Sequence, residues 1–180
     1  PTKIKERGKS KQVNNHWILV RHAKSDWEHA NLDDKHRPLS PRGKKAAVLL
    51  GEKIQQLGMT PDRILCSRAL RATQTLQGIL QVLSQYSLVA VPEILYFDDL
   101  YLANPETITK VVASNHGGKQ KLMCIGHNPG MENLATHLAN QTLQMKTAHM
   151  IVFGKNTPWG NASQIGEGWE ILENIRGEEG

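Results

Sequence analysis

The feature that most constrains this chain is a short apolar segment that ends at two basic residues. The run WILV at positions 17–20 is followed directly by Arg21 and His22. A second run, LMCIG at positions 122–126, is followed directly by His127. Short apolar runs are typical of strands buried in a parallel sheet, and open α/β folds bind their ligands at the carboxyl edge of that sheet. The pattern therefore predicts two histidines that face one crevice.

The order of strand-like and helix-like segments predicts the fold class. The two types alternate from residue 17 to about residue 140, which indicates an α/β fold, a three-layer α/β/α sandwich around a mostly parallel sheet. Two later apolar segments, 150–153 and 169–172, predict an antiparallel pair at the sheet edge. Predicted strands cover 17–20, 63–67, 87–96 with a break at Pro92, and 120–126, and predicted helices cover 41–57, 68–83, 105–114 and 130–139.

Local signals define two helix starts and place another basic residue at the crevice. Ser40 and Asn104 each precede a proline, which is the usual order of an N-cap residue and the first helical position. Arg71 lies in the first turn of helix 68–83, so its guanidinium is predicted beside the carboxyl end of strand 63–67. The predicted inner stripe of that helix is Leu70, Thr73, Leu76, Ile79, Leu80 and Leu83.

Length and charge limit the domain organisation and the classes of partner. A chain of 180 residues can form one well-covered core, so we expect a single domain over 16–180. Residues 1–15 carry five basic side chains and one glutamate, which predicts a flexible basic tail. The remainder is nearly neutral, which argues against a nucleic-acid partner. Without a long apolar stretch or a cleavable signal, we expect no membrane partner and a cytoplasmic protein.

The two cysteines are predicted to be reduced thiols of the core. Cys66 and Cys124 lie in strand-like segments and lack the spacing of metal ligands, so no metal site is predicted. Cys124 lies three residues before His127, which leaves a thiol nucleophile as an alternative.

Four basic residues at one sheet edge indicate phosphoryl chemistry. Arg21, His22, Arg71 and His127 are predicted to form a cationic cup there, without a cluster of carboxylates that could hold a metal. A guanidinium group can donate two parallel hydrogen bonds to two oxygens of a phosphate, and a neutral imidazole can attack phosphorus. Such a cup is therefore suited to a phosphoryl group.

Four motifs occur along the chain in order: RHAKS at 21–25, RPLSPRG at 37–43, SRALRATQT at 67–75 and GHNPG at 126–130. Together they resemble the histidine phosphatase, or phosphoglycerate mutase-like, superfamily, specifically its small SixA-like branch. The resemblance implies that His22 is the nucleophile that becomes phosphorylated. It also implies that Arg21 and Arg71 clamp the phosphate, that His127 holds phosphoryl oxygens, and that no metal or organic cofactor is required.

The resemblance further implies a carboxylic acid that protonates the leaving group. Asp99 is the first choice and Asp98 the fallback, and the alternative is that either residue caps the loop before helix 105–114. Lys24 and Ser25, directly after the nucleophile, are predicted to bind the phosphoryl group. The alternatives are a solvated lysine and a turn-capping serine.

Several other polar residues lie near the predicted crevice. Ser67 could bind phosphate at the end of strand 63–67, but turn capping is the favoured interpretation. The loop 25–39 is predicted to border the entrance, and it carries Trp27, Asp33, Asp34, His36 and Arg37. Trp27 is interpreted as a packing anchor of this long loop rather than as an aromatic platform for substrate.

The short segment between Asp99 and His127 predicts an open site, because it has room for one helix and one strand and none for a lid. An open site favours a phosphorylated protein as partner, and SixA-like proteins are associated with phosphohistidine. A phosphatase for phosphohistidine in proteins is therefore the favoured function, and a small-molecule phosphomonoesterase is the alternative. A mutase would need a closed, dry site, and a non-catalytic phosphate-binding module is the remaining class. The sequence makes no prediction of oligomeric state.

Overall fold

The protein folds around one six-stranded sheet, seen in a computed structural model that describes residues 14–29, 31–86 and 90–177. The strands are β1 Asn15–Arg21, β2 Arg63–Ser67, β3 Glu93–Phe97, β4 Lys121–Gly126, β5 His149–Lys155 and β6 Glu170–Arg176. The helices are α1 Pro41–Gln56, α2 Leu70–Leu83, α3 Pro105–Asn115 and α4 Gly130–Ala139. The strand order is β3-β2-β4-β1-β5-β6, in which the first four strands run parallel. β5 is antiparallel to both of its neighbours, β1 and β6.

Helices cover both faces of the sheet, because successive side chains of each buried strand point to opposite sides. On β1, Trp17 and Leu19 belong to a core shared with α3 and α4, which includes Ile108 and Leu134. The alternate residues Ile18 and Val20 belong to a second core shared with α1 and α2, which includes Leu50 and Leu76. The three-layer α/β/α sandwich and its antiparallel edge are confirmed.

The predicted helix starts agree with the structure. The Ser40 hydroxyl accepts a hydrogen bond from the backbone N–H of Gly43 at 3.0 Å, and the Asn104 side chain accepts one from Thr107 N–H at 2.9 Å. Each contact satisfies an N–H group that the helix itself leaves free. α1 ends at Gln56, one residue before the predicted end at position 57.

Two predicted elements differ from the structure. β3 begins only at Glu93, because Pro92 has no N–H to donate to the ladder, and residues 87–89 of the predicted strand lie outside the described residues. On α2, Leu70, Thr73 and Leu80 are partly exposed, whereas Arg71 and Thr75 are buried. The buried face of this helix is therefore rotated relative to the predicted inner stripe, and it includes two polar residues that lie near the end of β1.

The predicted basic tail over 1–15 lies outside the described residues except for its last two positions, and Asn15 already belongs to β1. Among the described residues, no helix combines the length and the apolar character needed to span a membrane.

Candidate active site

His22 and His127 meet because they follow neighbouring parallel strands. Arg21, the last residue of β1, pairs with Gly126, the last residue of β4. The backbone N–H of His22 continues this ladder and donates to the carbonyl of Gly126 at 3.1 Å. The two imidazole rings have centroids 5.2 Å apart and an interplanar angle of 53°. The predicted convergence of the two histidines at one sheet edge is therefore present.

The contacts of His22 define which ring nitrogen carries its proton. Nδ1 lies 2.7 Å from the carbonyl oxygen of Ala23, and because a carbonyl only accepts, Nδ1 is the donor. Nε2 then has a lone pair, and it accepts a hydrogen bond from Nε of Arg71 at 3.3 Å. Burial is the main cause that lowers the pKa of His22 to about 4, with smaller contributions from nearby arginines. His22 is thus a neutral imidazole with an unprotonated Nε2 near neutral pH.

The backbone after His22 is held by α1 and α2. The hydroxyl of Thr75 accepts from Ala23 N–H at 3.0 Å and donates to the carbonyl of Arg71 at 2.7 Å. The carbonyl of Lys24 accepts from Ser40 N–H at 2.9 Å. A Cβ atom at Gly43 would lie 2.1 Å from that carbonyl oxygen, so only glycine permits this approach of α1. The motifs at 37–43 and 67–75 therefore fix the orientation of the candidate nucleophile.

A cavity of about 640 Å³ opens at this edge of the sheet. Six of the seven predicted site residues line it: Arg21, His22, Lys24, Ser25, Arg71 and His127. Both histidines, Ser25 and Arg71 are buried, whereas Lys24 is exposed. The four basic residues expected to form a cationic cup are therefore brought together.

The two predicted clamp arginines are anchored by different segments of the chain. Nη1 of Arg21 donates to the carbonyl of Met145 at 2.8 Å. Arg71, which is only 2% exposed, donates from Nη1 to the backbone carbonyl of Asp34 at 2.7 Å and from Nη2 to its carboxylate at 3.0 Å. These contacts hold both guanidinium groups in place before any ligand binds, which reduces the entropy lost on binding.

Asp34, and not Asp99, is the carboxylate of this site. Asp34 is the single acidic residue among the described residues that line the cavity. Asp99 is exposed and does not line it, and Asp98 forms an ion pair with Lys35 at 2.6 Å. Neither predicted candidate for the general acid, Asp99 or its fallback Asp98, lines the cavity, so that role stays a prediction for both residues.

The surroundings of Asp34 favour its ionised form. The hydroxyl of Tyr101 donates to Oδ2 of Asp34 at 2.5 Å, and this hydrogen bond is the largest cause that lowers the pKa of Asp34. Contacts with Arg71 and Arg37 lower it further, and the same hydrogen bond raises the pKa of Tyr101. Asp34 is thus an ionised carboxylate near neutral pH, and it is connected to His22 through Arg71, which contacts both residues.

Sequence reasoning also missed how Arg37 and Trp27 interact. The guanidinium carbon of Arg37 lies 3.5 Å from the ring centroid of Trp27, and Nη2 of Arg37 pairs with Asp34 at 3.0 Å. Trp27 is 75% exposed and lines the cavity, so it is not the packing anchor that was expected. The motif RPLSPRG begins with Arg37 and was the available signal for this contact, since it places a cation three residues before Ser40, the cap of α1.

His127 is held by Ser67 at the end of β2. Its Nε2 lies 2.8 Å from the Ser67 hydroxyl, which also accepts from Ala69 N–H at 3.2 Å. The expected turn-capping role of Ser67 is thus present together with a contact to the second histidine. Burial, followed by electrostatic interaction with the neighbouring His22, lowers the pKa of His127 to about 3. His127 is therefore neutral near neutral pH.

Four further residues complete the cavity wall: Leu102, Asn128, Lys146 and Thr147. Leu102 is 51% exposed and adopts a φ of 48°, in the left-handed region that leucine rarely occupies. Lys146 and Thr147 lie in a loop before β5 that carries no motif. No local sequence signal places that loop, because distant residues hold it, among them Arg21 and Glu132 through contacts with the Met145 backbone.

The cysteines are structural. Cys66 and Cys124 are both buried, and burial raises the pKa of Cys124 to about 12. Cys124 packs in the core with Trp17, which excludes it as a thiolate nucleophile at neutral pH. Within the described ranges, no group of three or more histidine, cysteine, aspartate or glutamate residues is arranged to hold a metal ion.

Comparison with known proteins identifies related sequences. The family model for the histidine phosphatase superfamily (branch 1) matches residues 17–94. This stretch contains three of the four motifs and ends before His127. An uncharacterized protein of Mycobacterium tuberculosis H37Rv is 33% identical over 121 residues, which are 67% of this chain and 70% of that protein.

Solved structures share the fold. SixA from Agrobacterium tumefaciens matches with a TM-score of 0.75 and 24% identity over 89% of this chain and 97% of that chain. A protein histidine phosphatase SixA in complex with tungstate matches with a TM-score of 0.71 and 19% identity, over 90% of this chain and 97% of that chain.

Proposed function

Because the chain belongs to the histidine phosphatase superfamily, we propose that it is a metal-independent phosphatase that acts on phosphohistidine in proteins of the cytoplasm. The observation that carries this proposal is the state of His22, a buried neutral imidazole whose Nε2 lone pair faces the guanidinium of Arg71. A neutral nitrogen nucleophile beside fixed cationic donors is the arrangement that phosphoryl transfer to histidine requires.

In the first step, Nε2 of His22 attacks phosphorus in line with the leaving nitrogen of the substrate. A bond forms between phosphorus and Nε2, the bond to the substrate imidazole breaks, and the electron pair leaves with that imidazole. A substrate imidazole that is already protonated on its other nitrogen leaves as a neutral molecule and needs no separate acid. Arg21 and Arg71 bind the equatorial oxygens, where negative charge is concentrated in the transition state.

In the second step, water attacks the phosphohistidine and releases inorganic phosphate. The bond between phosphorus and Nε2 breaks, and its electron pair returns to His22. One proton of the water is taken by Asp34, whose ionised state is favoured by Tyr101 and Arg71. The proton then passes to solvent, which restores the resting enzyme.

The charge around the cavity supports a protein substrate with acidic surroundings. Five cationic residues and one carboxylate line the cavity, namely Arg21, Lys24, Arg37, Arg71 and Lys146 against Asp34. With both histidines neutral, a phosphoryl dianion leaves a surplus of positive charge at the mouth. The exposed side chains of Trp27 and Leu102 lie at the same mouth and offer apolar contacts to a partner surface.

A small-molecule phosphomonoesterase is the second candidate. Lys24 and Lys146 could bind a second acidic group of a small phosphorylated substrate, and this observation favours an acidic ester over a neutral one.

Parallel hydrolysis assays with a phosphohistidine protein and with a panel of sugar, nucleotide and carboxylate phosphate esters test the proposal. We expect higher kcat/KM for the protein, loss of activity in His22→Ala, and an acid-labile phosphoenzyme trapped on wild type. A hundredfold preference for one ester would reverse the substrate assignment. Undiminished turnover by His22→Ala would refute the assignment of His22 as the nucleophile. Binding of phosphate by wild type without turnover would indicate a non-catalytic binding module.

A further inference from the structure

Ser67 makes two hydrogen bonds with its hydroxyl, and it is completely buried. It ends β2, which lies next to β4 in the sheet, so its side chain reaches the residue that follows β4. The oxygen lies 2.8 Å from Nε2 of His127 and 3.2 Å from the backbone nitrogen of Ala69. Because a backbone N–H can only donate, the hydroxyl accepts from Ala69.

The remaining hydrogen of the hydroxyl defines the proton position on His127. A serine hydroxyl has one hydrogen and two acceptor sites. Among the described residues, Nε2 of His127 is the one acceptor within hydrogen-bond distance of the Ser67 hydroxyl. If Nε2 carried the ring proton, it would donate to Ser67, and the hydroxyl hydrogen would be buried without an acceptor, which is costly. Ser67 therefore donates to Nε2.

The other ring nitrogen of His127 then carries the proton. Nδ1 is buried and has no hydrogen-bond partner among the described residues, although His127 lines the cavity. We propose that Ser67 is a positioning residue, which holds His127 as the Nδ1–H tautomer so that Nδ1 donates to an oxygen of the bound phosphoryl group. The identity of that acceptor rests on the proposed function, whereas the tautomer does not.

Nitrogen-15 NMR of the full chain labelled at histidine tests the tautomer directly at pH 7. The protonated and unprotonated nitrogens of a neutral imidazole have widely separated chemical shifts, so the position of the proton can be determined without an activity assay. We expect Nδ1 of His127 to carry the proton in wild type, and Ser67→Ala to shift both nitrogens toward a mixture of tautomers. Protonation of Nε2 in wild type would overturn the proposal, even if Ser67→Ala does not fold.

A double-mutant cycle tests whether Ser67 acts through His127. We expect Ser67→Ala to lower kcat about tenfold, as for loss of one neutral hydrogen bond, with little change in KM. In the His127→Ala background the same substitution should lower kcat by less than twofold. Ser84→Ala, at the exposed far end of α2, is the matched serine control and should leave kcat unchanged.

The outcomes separate the two proposals. Equal losses from Ser67→Ala in both backgrounds would show that Ser67 acts independently of His127 and would overturn its positioning role. A chain without phosphatase activity but with the proton on Nδ1 would refute the proposed function and retain the tautomer assignment.

Discussion

Nε of Arg71 donates to Nε2 of His22 across 3.3 Å, so the candidate nucleophile is paired with its own phosphate clamp. The same guanidinium is fixed through its two other nitrogens by the backbone and the carboxylate of Asp34. Three contacts on one planar group leave it little freedom to rotate. Arg71 thus keeps the His22 lone pair in place and remains close to where phosphoryl oxygens would bind.

Arg71→Lys should lower kcat about 10²- to 10³-fold, the loss found when one fixed transition-state donor is removed. Lysine keeps the positive charge but cannot contact His22 and Asp34 at once. Steady-state hydrolysis of a phosphohistidine protein measures this effect, with Lys53→Arg on the exposed side of α1 as a control. A wild-type kcat in Arg71→Lys would show that a positive charge at this position is sufficient for catalysis and that the guanidinium contacts are not required.

Asp34→Asn should slow the second step, because water loses its proton acceptor. We expect the phosphoenzyme to accumulate and kcat to fall about 10²-fold, within the usual contribution of acid–base catalysis. Rapid quench in alkaline detergent with labelled substrate measures the phosphoenzyme, because phosphohistidine is stable in base and is lost in acid. Asp99→Asn is the matched control, since Asp99 is exposed and outside the cavity, and a larger loss in Asp99→Asn would return the role to that residue.

Trp27→Ala should lower kcat/KM for a phosphohistidine protein about fivefold, because it removes an exposed aromatic contact at the mouth and the support of Arg37. Hydrolysis of a small phosphoramidate should change much less, since that substrate does not reach the mouth. Tyr86→Ala, an exposed aromatic residue outside this cavity, is the control. Equal effects of Trp27→Ala on both substrates would argue against a contact with the partner surface.

The double variant Lys24→Gln, Lys146→Gln should reduce kcat/KM for an acidic phosphoprotein about tenfold at low ionic strength. The difference from wild type should disappear near 0.5 M salt, because exposed charges are screened over roughly 4–5 Å there. Measurements over a series of salt concentrations give this dependence. A variant with the same salt dependence as wild type would show that the two lysines do not attract the substrate.

Acidification should destabilise the protein through both histidines. Their folded-state pKa values are lowered to about 4 for His22 and about 3 for His127, below the ordinary value of 6.5. Below pH 6.5 the unfolded chain binds protons that the folded chain does not, so the free energy of unfolding falls by up to ~1.4 kcal/mol per pH unit for each histidine. Urea unfolding at pH 7 and pH 5 should show a larger loss for wild type than for His22→Gln, His127→Gln. Equal losses would contradict the lowered pKa values.

The sequence was sufficient for the fold class and for the convergence of His22 and His127. Both follow from a local pattern that occurs twice in the chain. Each of two apolar runs forms a parallel strand, and the residue that follows each strand lies at the same edge of the sheet. The position of Arg71 could be predicted for the same reason, because the first turn of a helix lies beside the end of the strand before it. The geometry of neighbouring parallel strands therefore fixes the positions of these residues within narrow limits.

Asp34, Trp27 and Lys146 depend on the tertiary structure, because all three lie in loops whose path is set by contacts with distant residues. Asp34 enters the site through Tyr101 and Arg71, which are 67 and 37 residues away in the chain. Asp99 has an equally plausible sequence position, yet it lies in a turn that faces solvent. Local patterns determine where strands and helices end, but a loop side chain is directed by partners that no local pattern identifies.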